Sequence, residues 1–324
     1  MDLKNAVTAL EAGMATDTPV MMWGEAGVGK SSIVHQLAVD YDVELRDERL
    51  SQIESVDLRG LPSLHNGKTT WNIPDFLPDD PKSMGILFLD ELPQADPAVQ
   101  SAAYQLVLDR KLGKYTLPKR WRILAAGNPG QERMAEALGN RFMHIDVMPS
   151  VNNWVVWGAQ ASIHSDILGF VASRPELLHA RPTNQDEYAF PSPRTWEYAS
   201  RIYVECATSP LLQELIAATV GKGAALEFVA YVNLLSKLPT IQQIIDNPSN
   251  FISLNSSPSK VAAICMMIVN AVDHTNVDAL MDYVKTVQLE FQVLTIIMIN
   301  ETKNNLMGTT KITDWCMKNQ SVFN

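Results

Sequence analysis

The chain has 324 residues, room for two or three domains. With 46% hydrophobic and 19% charged residues it has the balance of a folded globular protein, which excludes a disordered chain. The formal net charge of −10 counts against non-specific nucleic-acid binding, which draws its affinity from Lys and Arg on phosphates, though a local basic groove remains compatible with it.

Cys206, Cys265 and Cys316 are odd in number and far apart, so they read as buried thiols in a reducing compartment rather than a disulfide framework or metal knuckle. Met1 to Met14 has no apolar core of the kind a secretory signal needs. The longest purely apolar run, 261–269, is too short to cross a bilayer. The expectation is a cytoplasmic protein without a membrane partner.

Leu3, Val7 and Leu10 fall at helical spacing and predict a helix over 2–14, ending near Gly13. Val20-Met21-Met22-Trp23 is a short apolar run suited to a buried strand. The next eight residues, Gly24-Glu25-Ala26-Gly27-Val28-Gly29-Lys30-Ser31, match G-x-x-x-x-G-K-[ST], the phosphate-binding P-loop. Its glycines let the backbone aim N–H groups at phosphate oxygens, and the following helix, expected over 31–39, adds its dipole. Lys30 would reach the terminal phosphates and the Ser31 hydroxyl would ligate magnesium, with Ser32 completing the predicted binding segment. The plain alternative is a glycine turn, and the flanking strand and helix argue against it.

Val43-Glu44-Leu45 reads as a short strand. The turn-rich segment 49–81 reads as an insertion with a hairpin tip at Asn66-Gly67. Gly85-Ile86-Leu87-Phe88-Leu89-Asp90-Glu91 then has the pattern of a central parallel strand whose acids emerge at the ligand crevice. Asp90 is placed to hold the magnesium, directly or through water, and Glu91 to orient or deprotonate the attacking water. A helix is expected over 97–108, a small hairpin over 113–118 and a buried strand over 121–126. That strand ends at Gly127-Asn128-Pro129, where Asn128 either shares hold of the water or γ-phosphate or serves as turn chemistry.

A helix over 132–138 leads through Gly139-Asn140-Arg141-Phe142 to a last short strand, 144–147. Beyond Pro149 helices dominate. A loop over 185–194 enters a helix with Ser192 as N-cap and Pro193 at the first position. Gly221-Lys222-Gly223 reads as a helix–helix turn, and Val284, Val287, Phe291, Leu294 and Met298 as one apolar helix face. No arginine follows Arg201.

From about Met21 to Trp196 this order of motifs closely resembles the MoxR-like AAA+ ATPases, above all the branch found beside von Willebrand factor A-domain proteins. The P-loop, the Asp-Glu strand, the Asn strand, Asn-Arg-Phe and Pro-Ser-Pro-Arg-Thr-Trp carry the likeness. It implies an α/β fold: a P-loop AAA+ parallel-sheet αβα core over 1–150, an all-helical lid over 151–235 and a helical C-terminal extension over 236–324. It also implies that Lys30 and Ser31 are the Walker A pair, Asp90 and Glu91 Walker B, and Asn128 the sensor of the γ-phosphate. Arg141 would be the arginine finger, with Arg133 or Arg110 as alternatives, and Arg194 the second sensor. Glu25 departs from the proline many relatives carry.

The implied cofactors are ATP/ADP and Mg2+. The implied assembly is a homo-oligomer, a hexameric ring, remodelling a protein client beside a von Willebrand factor A-domain partner. A DNA-processing AAA+ motor is the alternative; the acidic balance and the arginine-free final third count against it. A small-molecule kinase or a non-hydrolysing scaffold fits the paired acids and arginines less well.

Overall fold

Helix α1 (Leu3–Ala15) starts at Asp2, whose carboxylate accepts the Asn5 N–H, and it runs past the glycine expected to end it. A Cβ at Gly13 would lie 2.2 Å from a methyl of Val20, so the glycine serves a close approach to strand β1 (Val20–Trp23) instead. This computed structural model describes residues 1–130, 134–182, 187–235, 237–248, 250–251 and 257–319. It divides into two units, Met1–Met148 and Pro149–Asn324.

In the first unit β1 is followed by α2 (Lys30–Asp40), β2 (Glu44–Arg49) and α3 (Ser55–Arg59). Strand β2 is twice the expected length. Its Glu-Leu-Arg-Asp-Glu-Arg sequence hides it from an apolar-run search because it is an edge strand with water on one side. The hairpin β3 (Leu61–His65) and β4 (Lys68–Asn72) turns at Asn66 and Gly67, both at positive φ, as Asn-Gly requires. Strand β5 (Met84–Asp90) is buried from Gly85 onward. Helix α4 (Pro97–Asp109) follows, capped by Asp96, and then the short pair β6 (Lys111–Leu112) and β7 (Tyr115–Thr116). Strand β8 (Arg120–Gly127), α5 (Glu136–Gly139) and β9 (Met143–Asp146) complete the unit. Of the helix expected over 132–138, residues 132 and 133 lie outside the described residues and α5 begins at Glu136.

The main sheet is parallel throughout, in the order β2-β5-β8-β1-β9. Alternate strand residues feed two apolar layers. Met21, Leu87, Leu89 and Ala125 pack with α4 on one face. Val20, Met22, Phe88 and Leu124 pack with α1 and α2 on the other. Covering both faces is what allows these strands to be apolar without a break.

The second unit is helical. It comprises α6 (Val151–Gln160), α7 (Ser165–Ser173), α8 (Pro193–Cys206), α9 (Leu212–Val220) and α10 (Lys222–Leu235). These are followed by α11 (Ile241–Asp246), α12 (Pro258–Ala271), α13 (Val277–Val284), α14 (Leu289–Lys303) and α15 (Thr310–Lys318). Helices on both sides of residue 235 share one core, centred on Phe170 with Trp196, Phe228 and Tyr231 around it at 5.4–5.6 Å. Of the loop expected over 185–194, residues 185 and 186 lie outside the described residues. Ser192 caps α8 in a reciprocal box with Thr195, with Pro193 first in the helix. Gly221, at φ 82°, turns α9 into α10.

The apolar stepping from Val284 to Met298 is not one helix face. The chain breaks between α13 and α14, where the Thr286 hydroxyl and N–H both donate to Tyr283 O, yet all five residues remain buried. Of the cysteines only Cys265 is fully buried, which pushes its thiol up to about 11; Cys206 and Cys316 are half-buried, so the expectation of three buried thiols holds for one. Among the described residues no helix is long and apolar enough to cross a membrane.

Candidate functional site

Parallel pairing sets the C-terminal ends of β1, β8 and β5 side by side, with Trp23 opposite Gly127 and Leu89 opposite Ala125. The residues that leave these strands therefore meet at one sheet edge, the ligand-binding edge of open α/β sheets. Gly24 N–H donates to Gly127 O at 3.2 Å, and a Cβ on Gly24 would lie 2.8 Å from Val147 O, so only glycine fits where the loop leaves β1. Gly27 (φ 79°) and Gly29 (φ 101°) hold left-handed backbone that other residues adopt only with strain. Gly29 is the N-cap of α2 and no side chain caps the helix, so the helix N-terminus, with its favourable dipole, faces the loop without a capping side chain. Val28 is buried, Glu25 is half-buried, and Ala26 and Ser32 are exposed.

Lys30 is only 8% exposed. Its ammonium donates to Gly24 O at 2.7 Å, Glu25 O at 3.0 Å and Asn128 Oδ1 at 2.9 Å, which offsets the burial of its charge. Ser31 Oγ donates to Asp90 Oδ2 at 2.8 Å. Glu91 N–H donates to Asp90 Oδ1 at 2.9 Å, so the Asp90 carboxylate is fixed at both oxygens. Lys30, Ser31, Asp90, Glu91 and Asn128 are thus brought together from separate stretches of the fold.

Glu91 itself sits at φ 55°, ψ 30°, a left-handed conformation unusual for a residue with a side chain. Its carboxylate accepts from the Ser51 hydroxyl, a contact the sequence did not announce. Ser51 reaches it because β2 pairs with β5, setting Arg49 opposite Asp90 just before the serine. Gln94 is the second unannounced residue. With its amide turned so that both ends find partners, it donates to Glu91 O at 3.2 Å and accepts from Asn128 N–H at 3.1 Å.

Ser31 and Asp90 offer a hydroxyl and a carboxylate, hard oxygen donors within 2.8 Å of each other, which fits a magnesium ion. Among the described residues no group of three or more His, Cys, Asp or Glu forms a metal cage. Magnesium takes one or two protein oxygens and completes its shell with phosphate and water.

The arginines separate by their surroundings. Arg110 is tied internally: it donates to Asp17 Oδ1 at 2.9 Å, Pro118 O at 2.9 Å and Trp121 O at 2.8 Å. Arg141 is exposed at the end of the α5 turn, with its guanidinium 6.0 Å over the Tyr104 ring. Arg194 is exposed in the first turn of α8, in the second unit. Arg133 lies outside the described residues.

The family profile of the AAA domain (dynein-related subfamily) matches residues 19–142. A comparison with curated proteins finds no match to this chain. Among solved structures, a mutant of Thermotoga maritima RuvB is 16% identical with a TM-score of 0.41, covering 71% of this chain and 69% of its own. NtrX from Brucella abortus in complex with ADP is 13% identical with a TM-score of 0.43, over 99% and 68% respectively. A putative ATPase from Cytophaga hutchinsonii is 14% identical with a TM-score of 0.35, over 97% and 87%. The profile covers strands β1, β2, β5 and β8, the P-loop, the acidic pair and Asn128, and it ends just before β9. Residues 19–142 thus match an AAA domain within a parallel sheet of P-loop AAA+ fold, and that match supports ATP hydrolysis by this chain.

Proposed function

We propose that this chain is a MoxR-like remodelling ATPase that assembles into a homo-oligomeric ring, six subunits by resemblance. It would use ATP hydrolysis in the cytoplasm to reshape a protein client, beside a von Willebrand factor A-domain partner. The observation that carries the catalytic part is the Ser31–Asp90 contact with Glu91 directly beyond it. A hydroxyl, a metal-binding carboxylate and a second acid at the edge of one sheet are the parts nucleotide hydrolysis needs.

Each residue then has a task. The first turn of α2 and the Lys30 ammonium bind the phosphates, Lys30 exchanging its present acceptors for phosphate oxygens. Ser31 and Asp90 would hold Mg2+, which when bound neutralises charge on the phosphate oxygens. Glu91 positions the attacking water and takes its proton once Ser51 releases the carboxylate. Asn128, joined to Lys30 and through Gln94 to the Glu91 backbone, senses the γ-phosphate. Arg141, exposed and without the internal ties that hold Arg110, is offered to the neighbouring subunit's nucleotide. Arg194 serves as the second sensor from the start of α8.

The test is Glu91→Gln, which keeps the shape and removes the base. The variant is expected to bind ATP, accumulate as a stable oligomer by light scattering and turn over about 10²–10⁴-fold more slowly. Parental turnover would overturn the role of Glu91, and a monomer with ATP bound would overturn the ring.

A further inference from the structure

We propose that His144 is a positioning residue for Arg141, kept in its working tautomer by Trp23. This inference rests on the reading above in which Arg141 serves the neighbouring subunit.

Trp23 Nε1 lies 2.8 Å from His144 Nδ1, and His144 Nε2 lies 2.8 Å from Gly139 O. An indole N–H can only donate and a carbonyl can only accept. Nδ1 therefore carries the lone pair and Nε2 the proton, a neutral imidazole with both nitrogens in use. The Trp23 and His144 rings are stacked, centroids 6.1 Å apart at 16°, and the Phe142 ring stands against His144 at 6.5 Å and 64°.

The bond from His144 to Gly139 O closes a short loop of chain with Arg141 near its middle. Within the loop, Arg141 N–H donates to Leu138 O and Phe142 N–H to Gly139 O, each at 3.1 Å. The Arg141 backbone is thus fixed from both sides, while its guanidinium stays exposed over Tyr104. Trp23 is the last residue of β1 and the one before Gly24. Beside the β1–β9 backbone pairing, one donor and one ring stack thereby tie the last residue of the strand that feeds the P-loop to the turn that offers Arg141. Misplacing a catalytic group by about 1 Å can cost as much as 100-fold, so the orientation of this turn is worth holding.

Mixed oligomers separate this role from a merely structural one. His144→Phe keeps a ring and loses both hydrogen bonds. It is expected to bind ATP normally and to lose about 10- to 100-fold in kcat. His144→Gln, whose amide can accept from Trp23 and donate to Gly139 O, is expected to restore most of that. Mixing His144→Phe with Glu91→Gln subunits should return activity, because the first supplies an intact Glu91 and the second a well-held Arg141. Mixing it with Arg141→Ala should return none, because both fail on the side offered to the neighbour.

The reverse pattern, rescue by Arg141→Ala and none by Glu91→Gln, would place the effect in the subunit's own pocket and overturn the proposal. Equal loss in the Phe and Gln variants would overturn it too. If His144→Phe does not fold, Trp23→Phe, which removes only the donor and keeps the stack, carries the same test and the same expected pattern. Failure of the underlying reading shows separately. If Arg141→Ala and Glu91→Gln subunits exchange and regain nothing, Arg141 does not act in trans, and the proposal falls with it.

Discussion

Glu91, the proposed base, joins its carboxylate to a backbone that disfavours any side chain, and the two can be separated by a pair of substitutions. Glu91→Ala and Glu91→Gly both delete the carboxylate and its bond from Ser51, so both should abolish turnover. They differ in backbone only. At φ 55°, ψ 30° a Cβ costs about 1–2 kcal/mol, which glycine does not bear. Glycine in turn gains roughly 0.5–1 kcal/mol of extra freedom in the unfolded chain. The net favours Gly over Ala by about 0.5–1 kcal/mol. For a unit of this size that is roughly 1–4 °C in Tm. At an ordinary helical or extended position the sign would be reversed, because only the entropy difference would remain. Urea and calorimetric unfolding of the two variants, without nucleotide, read the sign directly. Ala equal to or more stable than Gly would refute a left-handed Glu91 and the aim of its side chain that depends on it.

Lys30→Ala removes the charge proposed to meet the phosphates, and ATP binding by calorimetry should fall below detection while the Tm moves little. Ser51→Ala frees the Glu91 carboxylate from its hydrogen bond; basal turnover should rise about two- to tenfold at unchanged ATP affinity, and an unchanged rate would make that contact incidental. Gly127→Ala would put a methyl 2.5 Å and 2.6 Å from two ring carbons of Pro93 and 2.9 Å from the Met21 methyl. It should destabilise by about 1–3 kcal/mol in urea and slow turnover by shifting the turn beyond Glu91.

What was legible in the sequence is what local chemistry fixes. The P-loop needs its glycines at Gly27 and Gly29, and β5 needs an unbroken apolar run before Asp90, so both could be read from a few consecutive residues. The contacts of Ser51 and Gln94 could not. Ser51 meets Glu91 only because β2 lies beside β5, and sheet order is not written in any one segment. Strand β2 was half hidden by the charged residues an edge strand can carry. The break between α13 and α14 was masked because buried residues continue through the turn with helical spacing. Gly13 looked like a stop signal and is a contact, since what it avoids is Val20, which reaches it only in the folded unit.

A mixing titration asks whether the nucleotide site is completed by the neighbouring subunit's Arg141. Arg141→Ala and Glu91→Gln subunits, each nearly inactive alone, are combined in varying ratio, with labelled subunits reporting exchange. Activity should be lowest at both ends and highest near equal proportions, because only mixed interfaces pair an intact Glu91 with an intact Arg141. A flat, inactive line across the titration, with exchange under way, would contradict it.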